Sequence, residues 1–138
     1  MFRLRAFALF VLVAPLAVAQ NKIDFQRNIR PILSDNCFQC HGPDSKTRMA
    51  GLRLDQKEAV LEVRKRGAAI VPGKPVESLL VQRISDTNPS KRMPPEYSHK
   101  SLTPQQIAMV KGWVEAGAPW KEHWAYTCLL YTSDAADE

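Results

Sequence analysis

The run Cys37-Phe38-Gln39-Cys40-His41 is followed at once by Gly42-Pro43, and this juxtaposition limits the chain more than any other part of it. Two thiols separated by two residues on a helical turn face the same way, and the adjacent imidazole falls beneath whatever they hold. Gly-Pro then stops the helix. The spacing is that of covalent c-type haem attachment: Cys37 and Cys40 are expected to add across the two vinyl groups of one porphyrin edge, with His41 as the proximal axial iron ligand through one ring nitrogen. The second ring nitrogen is expected to donate to a backbone carbonyl, and Pro43 stands close enough to present one. Other chemistries fit less well. A thioredoxin-like dithiol needs a preceding strand and a longer following helix. A zinc site would have to recruit His99 and His123, far outside the usual ligand spacing. A disulfide between Cys37 and Cys40 suits an oxidising compartment but leaves His41 without a purpose.

Neither end of the chain reads as part of the fold. Residues 1–19 have the form of a signal peptide: Arg3 and Arg5, the apolar run Ala6 to Ala14, and an Ala17-Val18-Ala19 cleavage site before Gln20. A membrane anchor is the alternative, but the run is short for a span and ends at a good cleavage site. Export and covalent haem attachment belong together, since bacteria attach c-type haem outside the cytoplasm. Residues 128–138, from Cys128 to Glu138, read as the translation of a sequencing adapter. On that reading Cys128 is no cysteine of the natural protein, which continues past about Tyr126. Residues 20–127 are left as one small domain, short enough that a porphyrin would supply much of its apolar core.

The domain reads as helices joined by loops. Asp24 or Asn28 can cap a first helix carrying Ile29, Ile32 and Leu33 into the haem motif, with Pro31 tolerated in its first turn. Gly42 to Asp55 is expected to be an irregular loop around the haem edge. Asp55 is expected to cap a helix running to about Arg66 and ended by Gly67. Val76, Leu79, Leu80, Arg83 and Ile84 recur at helical spacing after the turn Pro72-Gly73-Lys74-Pro75. The last helix is the clearest: Thr103 caps it, Pro104 opens it, Gln106 completes a capping box, and Gly117 ends it. Ile107, Val110, Trp113 and Val114 form its buried face.

The haem reading leaves a second axial position to fill, and Met93 is the candidate. It stands in Lys91-Arg92-Met93-Pro94-Pro95, where two prolines stiffen an extended loop, and a thioether is a soft ligand that raises the reduction potential of haem iron. Met49 follows the motif too closely, Met109 is explained by packing, and His99 and His123 more often sit on surfaces. Lysines and arginines outnumber acidic residues, 19 to 14 over the whole chain. Lys46, Arg48, Arg53 and Arg64-Lys65-Arg66 could surround a haem edge and steer acidic redox partners, or simply form a solvated face. Nucleic acid is not expected as a partner of an exported chain without basic-aromatic interleaving or a binding motif.

Taken together, Ile23-Asp24-Phe25, Ile29 to Ser34, Cys37 to Asp44, Gly51 to Asp55, Ile70 to Gly73, Ser78 to Leu80, Arg92 to Pro95, Leu102-Thr103 and His123 to Tyr126 resemble the planctomycete-type cytochrome c domain. The resemblance implies an all-α, class I-like fold with one haem and loops wrapping it, placed at the amino end of a longer exported protein, periplasmic or at the cell surface. Glu62 to Arg66 is more basic than the Gly-rich segment expected there. The function implied is single-electron transfer by a carrier without catalytic residues of its own. Its partner would be a redox protein or the downstream domains, with no firm membrane span after cleavage. Two contrasting readings are an open distal site for peroxide or gas chemistry, and a docking module for downstream domains.

Overall fold

The structure, a computed structural model, describes residues 23–120. Residues 1–19, read above as a signal peptide, His123 and residues 128–138 with Cys128 lie outside the described residues.

Asp24 starts the first helical segment, because its carboxylate accepts the amide of Arg27 while Asn28 Oδ1 accepts the amide of Asp24 at 2.9 Å. A π-helical turn, Phe25–Ile29, leads directly into α1, Arg30–Asn36, whose first turn accommodates Pro31. Phe25, Ile29, Ile32 and Leu33 are buried along one face. The chain kinks at Cys37 and continues as the short α2, Phe38–His41. After the loop come α3, Lys57–Leu61, the strands β1, Val63–Arg64, and β2, Gly67–Ala68, then α4, Leu79–Ser85, a 3-10 turn at Glu96–Ser98, and α5, Pro104–Glu115.

The all-α expectation is corrected here. Helical elements cover only about 44% of the described residues, and β1 and β2 pair antiparallel with Val63 opposite Ala68 and Arg64 opposite Gly67. The helix expected to run from Asp55 to Arg66 stops at Leu61. Gln56, not Asp55, stands at its N-cap, and Asp55 is taken up by Arg53. Val63 is β-branched, and Gly67 at φ +110 supplies the positive dihedral that closes the hairpin turn. The segment that departs from the family pattern is therefore β1 and its turn. Val76 lies before α4 and is 80% exposed, so it does not belong to that helix's apolar face. Ser78 is fully buried at the α4 N-cap, where its hydroxyl accepts the amide of Val71 at 2.8 Å and donates to the carbonyl of Lys74 at 2.9 Å.

α5 forms as its capping box dictates, with Thr103 Oγ1 accepting the Gln106 amide and Gln106 Oε1 accepting the Thr103 amide. It packs against α4 and the Phe25–Ile29 turn. Trp113, completely buried, meets the ring of Phe25 with centroids 5.6 Å apart, while Phe25 stacks on Trp120 at 3.9 Å. Gly112 lets Ile23 approach α5 closely, since a Cβ there would stand 3.1 Å from Ile23 Cδ1. Trp113→Ala is expected to cost about 3–5 kcal/mol and Thr103→Ala about 1 kcal/mol in urea denaturation of the full chain.

Candidate haem site

Helix continuity through α1 places the two thiols. The amide of Cys37 still donates to Leu33, and the amides of Cys40 and His41 both donate to the carbonyl of Cys37, at 3.1 and 2.8 Å. Cys37, Cys40 and His41 thus share one turn, with both cysteines half-buried and unpaired with each other. Cys37 and Phe38 pack against the buried cluster that contains Leu33 and Trp113.

Residues 48 to 54 hold this turn in place. α2 ends with carbonyls that have no helical partner, and the next segment folds back to satisfy them. The amide of Met49 donates to Cys40 at 2.7 Å and that of Leu54 to His41 at 2.8 Å. The Arg48 guanidinium donates to the carbonyls of Gly42, at 3.1 Å, and Pro43, at 2.6 Å. The carbonyl of Pro43, expected to face the His41 ring, is therefore engaged by Arg48. Farther along, Arg64 donates to Ala50 and Gly51 at 3.1 and 3.3 Å, which fastens the loop to β1. Gly42 is required by a close approach, since a Cβ there would stand 2.2 Å from the Phe38 carbonyl oxygen.

Burial sets the electrostatics of the donors. It lowers the pKa of the His41 imidazole, with the Met49 backbone acting against it, so the ring favours the neutral form that binds metals. Burial also pushes the Cys37 thiol up to about 11, opposed by the charge of Lys100 and helped by Cys40. His41 Nδ1 is buried and makes no hydrogen bond among the described residues. Two free thiols and a neutral imidazole on one turn, beside a glycine with no room for a side chain, are a donor set that fits a c-type haem. They would hold it through two thioethers and one axial nitrogen.

Met93 reaches its place from a different element. Its amide donates to the Arg83 carbonyl in the last turn of α4 at 2.9 Å, and the Arg83 guanidinium donates to the Lys91 carbonyl at 3.0 Å. The Met93 side chain is 38% exposed and Pro94 is buried. Beyond the 3-10 turn, His99 is exposed with φ +53, and Lys100 Nζ donates to the Asp35 carbonyl near the end of α1. The structure thus brings the segment downstream of Met93 against the motif-bearing helix. No hydrogen bond among the described residues joins Met93 itself to Cys37, Cys40 or His41. A cavity of about 310 Å³ lined by Lys57, Leu61, Ile70, Trp113 and Trp120 contains none of these four residues.

Comparisons with known proteins bear on this arrangement. Residues 37–97 match the family described as Planctomycete cytochrome C. The stretch from the first thiol through the Met-Pro-Pro segment therefore matches the planctomycete cytochrome c family, as the sequence motifs suggested. That match suggests haem binding and electron transfer. The chain is also similar to the hydrazine synthase subunit alpha of Kuenenia stuttgartiensis, at 26% identity over 127 residues, covering 73% of this chain and 16% of that protein. No solved structure matches it. Among the described residues no helix is long and apolar enough to cross a membrane.

Nothing in the sequence marks Arg48, Met49, Leu54 and Lys100 as supports of the site. Their partners are backbone carbonyls, which leave no residue-type signature. The Arg53 guanidinium holds the Asp55 carboxyl below the usual carboxylate range, against a smaller effect of burial. A carboxylate whose pKa is lowered by folding stabilises the fold above its unfolded value near 3.8, and that contribution disappears as pH falls through the folded value. Asp55→Asn is accordingly expected to lower thermal stability slightly at pH 7, where that contribution is lost, and to flatten the decline seen below about pH 4. Gly42→Ala is expected to reduce covalent haem incorporation sharply, read by haem staining of the denatured chain.

Proposed function

We propose that this chain is the exported, amino-terminal electron-transfer module of a larger protein, binding one haem through thioethers at Cys37 and Cys40 with His41 and Met93 as axial ligands. The observation that carries the proposal is the convergence of two free thiols and a half-buried imidazole, its Nδ1 shielded and without a hydrogen bond among the described residues, on the turn between α1 and α2. Once attached, the haem supplies one reversible iron oxidation and reduction. The chain's own residues do the rest. Leu33 and Phe38 exclude water on the core side, and the amides of Met49 and Leu54 keep the His41 turn rigid.

Met93 is the favoured distal ligand because its backbone is anchored to α4 while the loop beyond it returns to α1 beside Cys37. Met49 is less suited, since its backbone is committed to the motif turn, its amide donating to the Cys40 carbonyl at 2.7 Å. The partial exposure of Met93 favours one second reading, an open distal site for peroxide or small-gas chemistry. Export from the cytoplasm rests on the signal-like residues 1–19 and on the family, whose members are typically exported; residence in the periplasm or at the cell surface follows from it. The role as a module agrees with the relative's being a subunit of which this chain spans a small part. Residues 128–138 are best treated as adapter-derived.

The full chain, expressed with a c-type haem maturation system, is expected to carry one haem that survives denaturation. Cys37→Ser or Cys40→Ser should leave one thioether, and the double variant none. The oxidised wild-type spectrum should show the far-red sulfur-to-iron band, which Met93→Ala abolishes while admitting carbon monoxide to the reduced form. A wild-type spectrum without that band, with rapid carbon monoxide binding, would establish the open-site reading instead.

A further inference from the structure

We infer that Lys100 is a latch, a positioning residue that holds the Met93 loop closed against the motif-bearing helix. The inference rests on the reading of Met93 as distal ligand and identifies what keeps that ligand in place. The loop between α4 and α5 is fastened at both of its ends. At the α4 end, Asp86 Oδ1 accepts the amide of Asn88, and the carbonyl of Asn88 accepts the amides of Lys91 and Arg92, which turns the chain back. Arg83 then clasps it twice, through its own carbonyl to Met93 and through its guanidinium to Lys91.

At the other end the fastening to α1 is made by the Lys100 side chain. The 3-10 turn is closed by Ser98 Oγ donating to the Pro95 carbonyl at 2.7 Å. His99 comes next in the left-handed region, at φ +53, a conformation that costs a non-glycine residue free energy and reverses the chain direction. That reversal delivers Lys100 to α1. Its ammonium donates to the Asp35 carbonyl, one of the acceptors at a helix end that lack an intrahelical amide, where the helix dipole also favours a cation. Lys100 is only half exposed and lies close enough to Cys37 for its charge to act on that thiol. The same side chain therefore touches the helix that leads into Cys37 and belongs to the loop that carries Met93.

Lys100→Met and Lys100→Arg variants of the haem-loaded full chain test this, with Met93→Ala as reference. Lys100→Met is expected to weaken the far-red band and to speed cyanide binding to the oxidised form about tenfold, the effect of losing one charge-assisted hydrogen bond. Lys100→Arg should restore both. In the haem-free chain, Lys100→Met should also accelerate amide exchange at Met93 relative to amides of α5. A wild-type band and cyanide rate retained in Lys100→Met overturn the latch. A Met93→Ala protein with the wild-type band overturns the ligation reading itself, and with it any ligand-positioning role for Lys100.

Discussion

Four consecutive carbonyls, those of Cys40, His41, Gly42 and Pro43, are all engaged by residues 48 to 54, and the candidate site depends on this folding back. A helix that stops at Gly42 leaves its last carbonyls unsatisfied, and beside a buried cluster they cannot all be left to water. The Met49 and Leu54 amides and the Arg48 guanidinium resolve that conflict. Leu54, 2% exposed, enters the core in the same movement. Satisfaction of the helix end and closure of the loop are thus one event.

This changes the meaning of the basic residues. Arg48, Arg53 and Arg64 are candidates in the sequence for steering an acidic partner, yet their guanidinium groups are spent on loop carbonyls and on Asp55. Planar, multi-donor side chains suit such work, because one group can hold two acceptors in a fixed geometry. Lys46, Lys65 and Arg66 remain exposed and are the better candidates for long-range attraction.

Core packing connects the two halves of the domain. Phe25, Trp113 and Trp120 bring the start of the chain against α5, so α1 leaves this aromatic cluster in a set direction and carries Cys37 with it. α4, packed on the same α5, orients the Met93 loop from the opposite side of the sequence. The Phe25–Ile29 turn that leads into α1 and the helix α4 that leads to the Met93 loop thus both rest on α5.

Local chemistry is legible in the sequence. The Thr103–Gln106 capping box, the Asp24 cap and the spacing of Cys37, Cys40 and His41 each act within a few residues, so the amino-acid order alone determined them along with the donor set for a haem. The β1–β2 hairpin is not legible, because two-residue strands show no alternation and Val63 fits a helix pattern as well as a strand. Asp55 has the residue type of a helix cap, but Arg53 competes for it and wins. Only the tertiary structure decided which carbonyls Arg48 and Lys100 reach and how the Met93 loop returns to α1. Those outcomes depend on backbone groups distant in sequence, which every residue type presents alike.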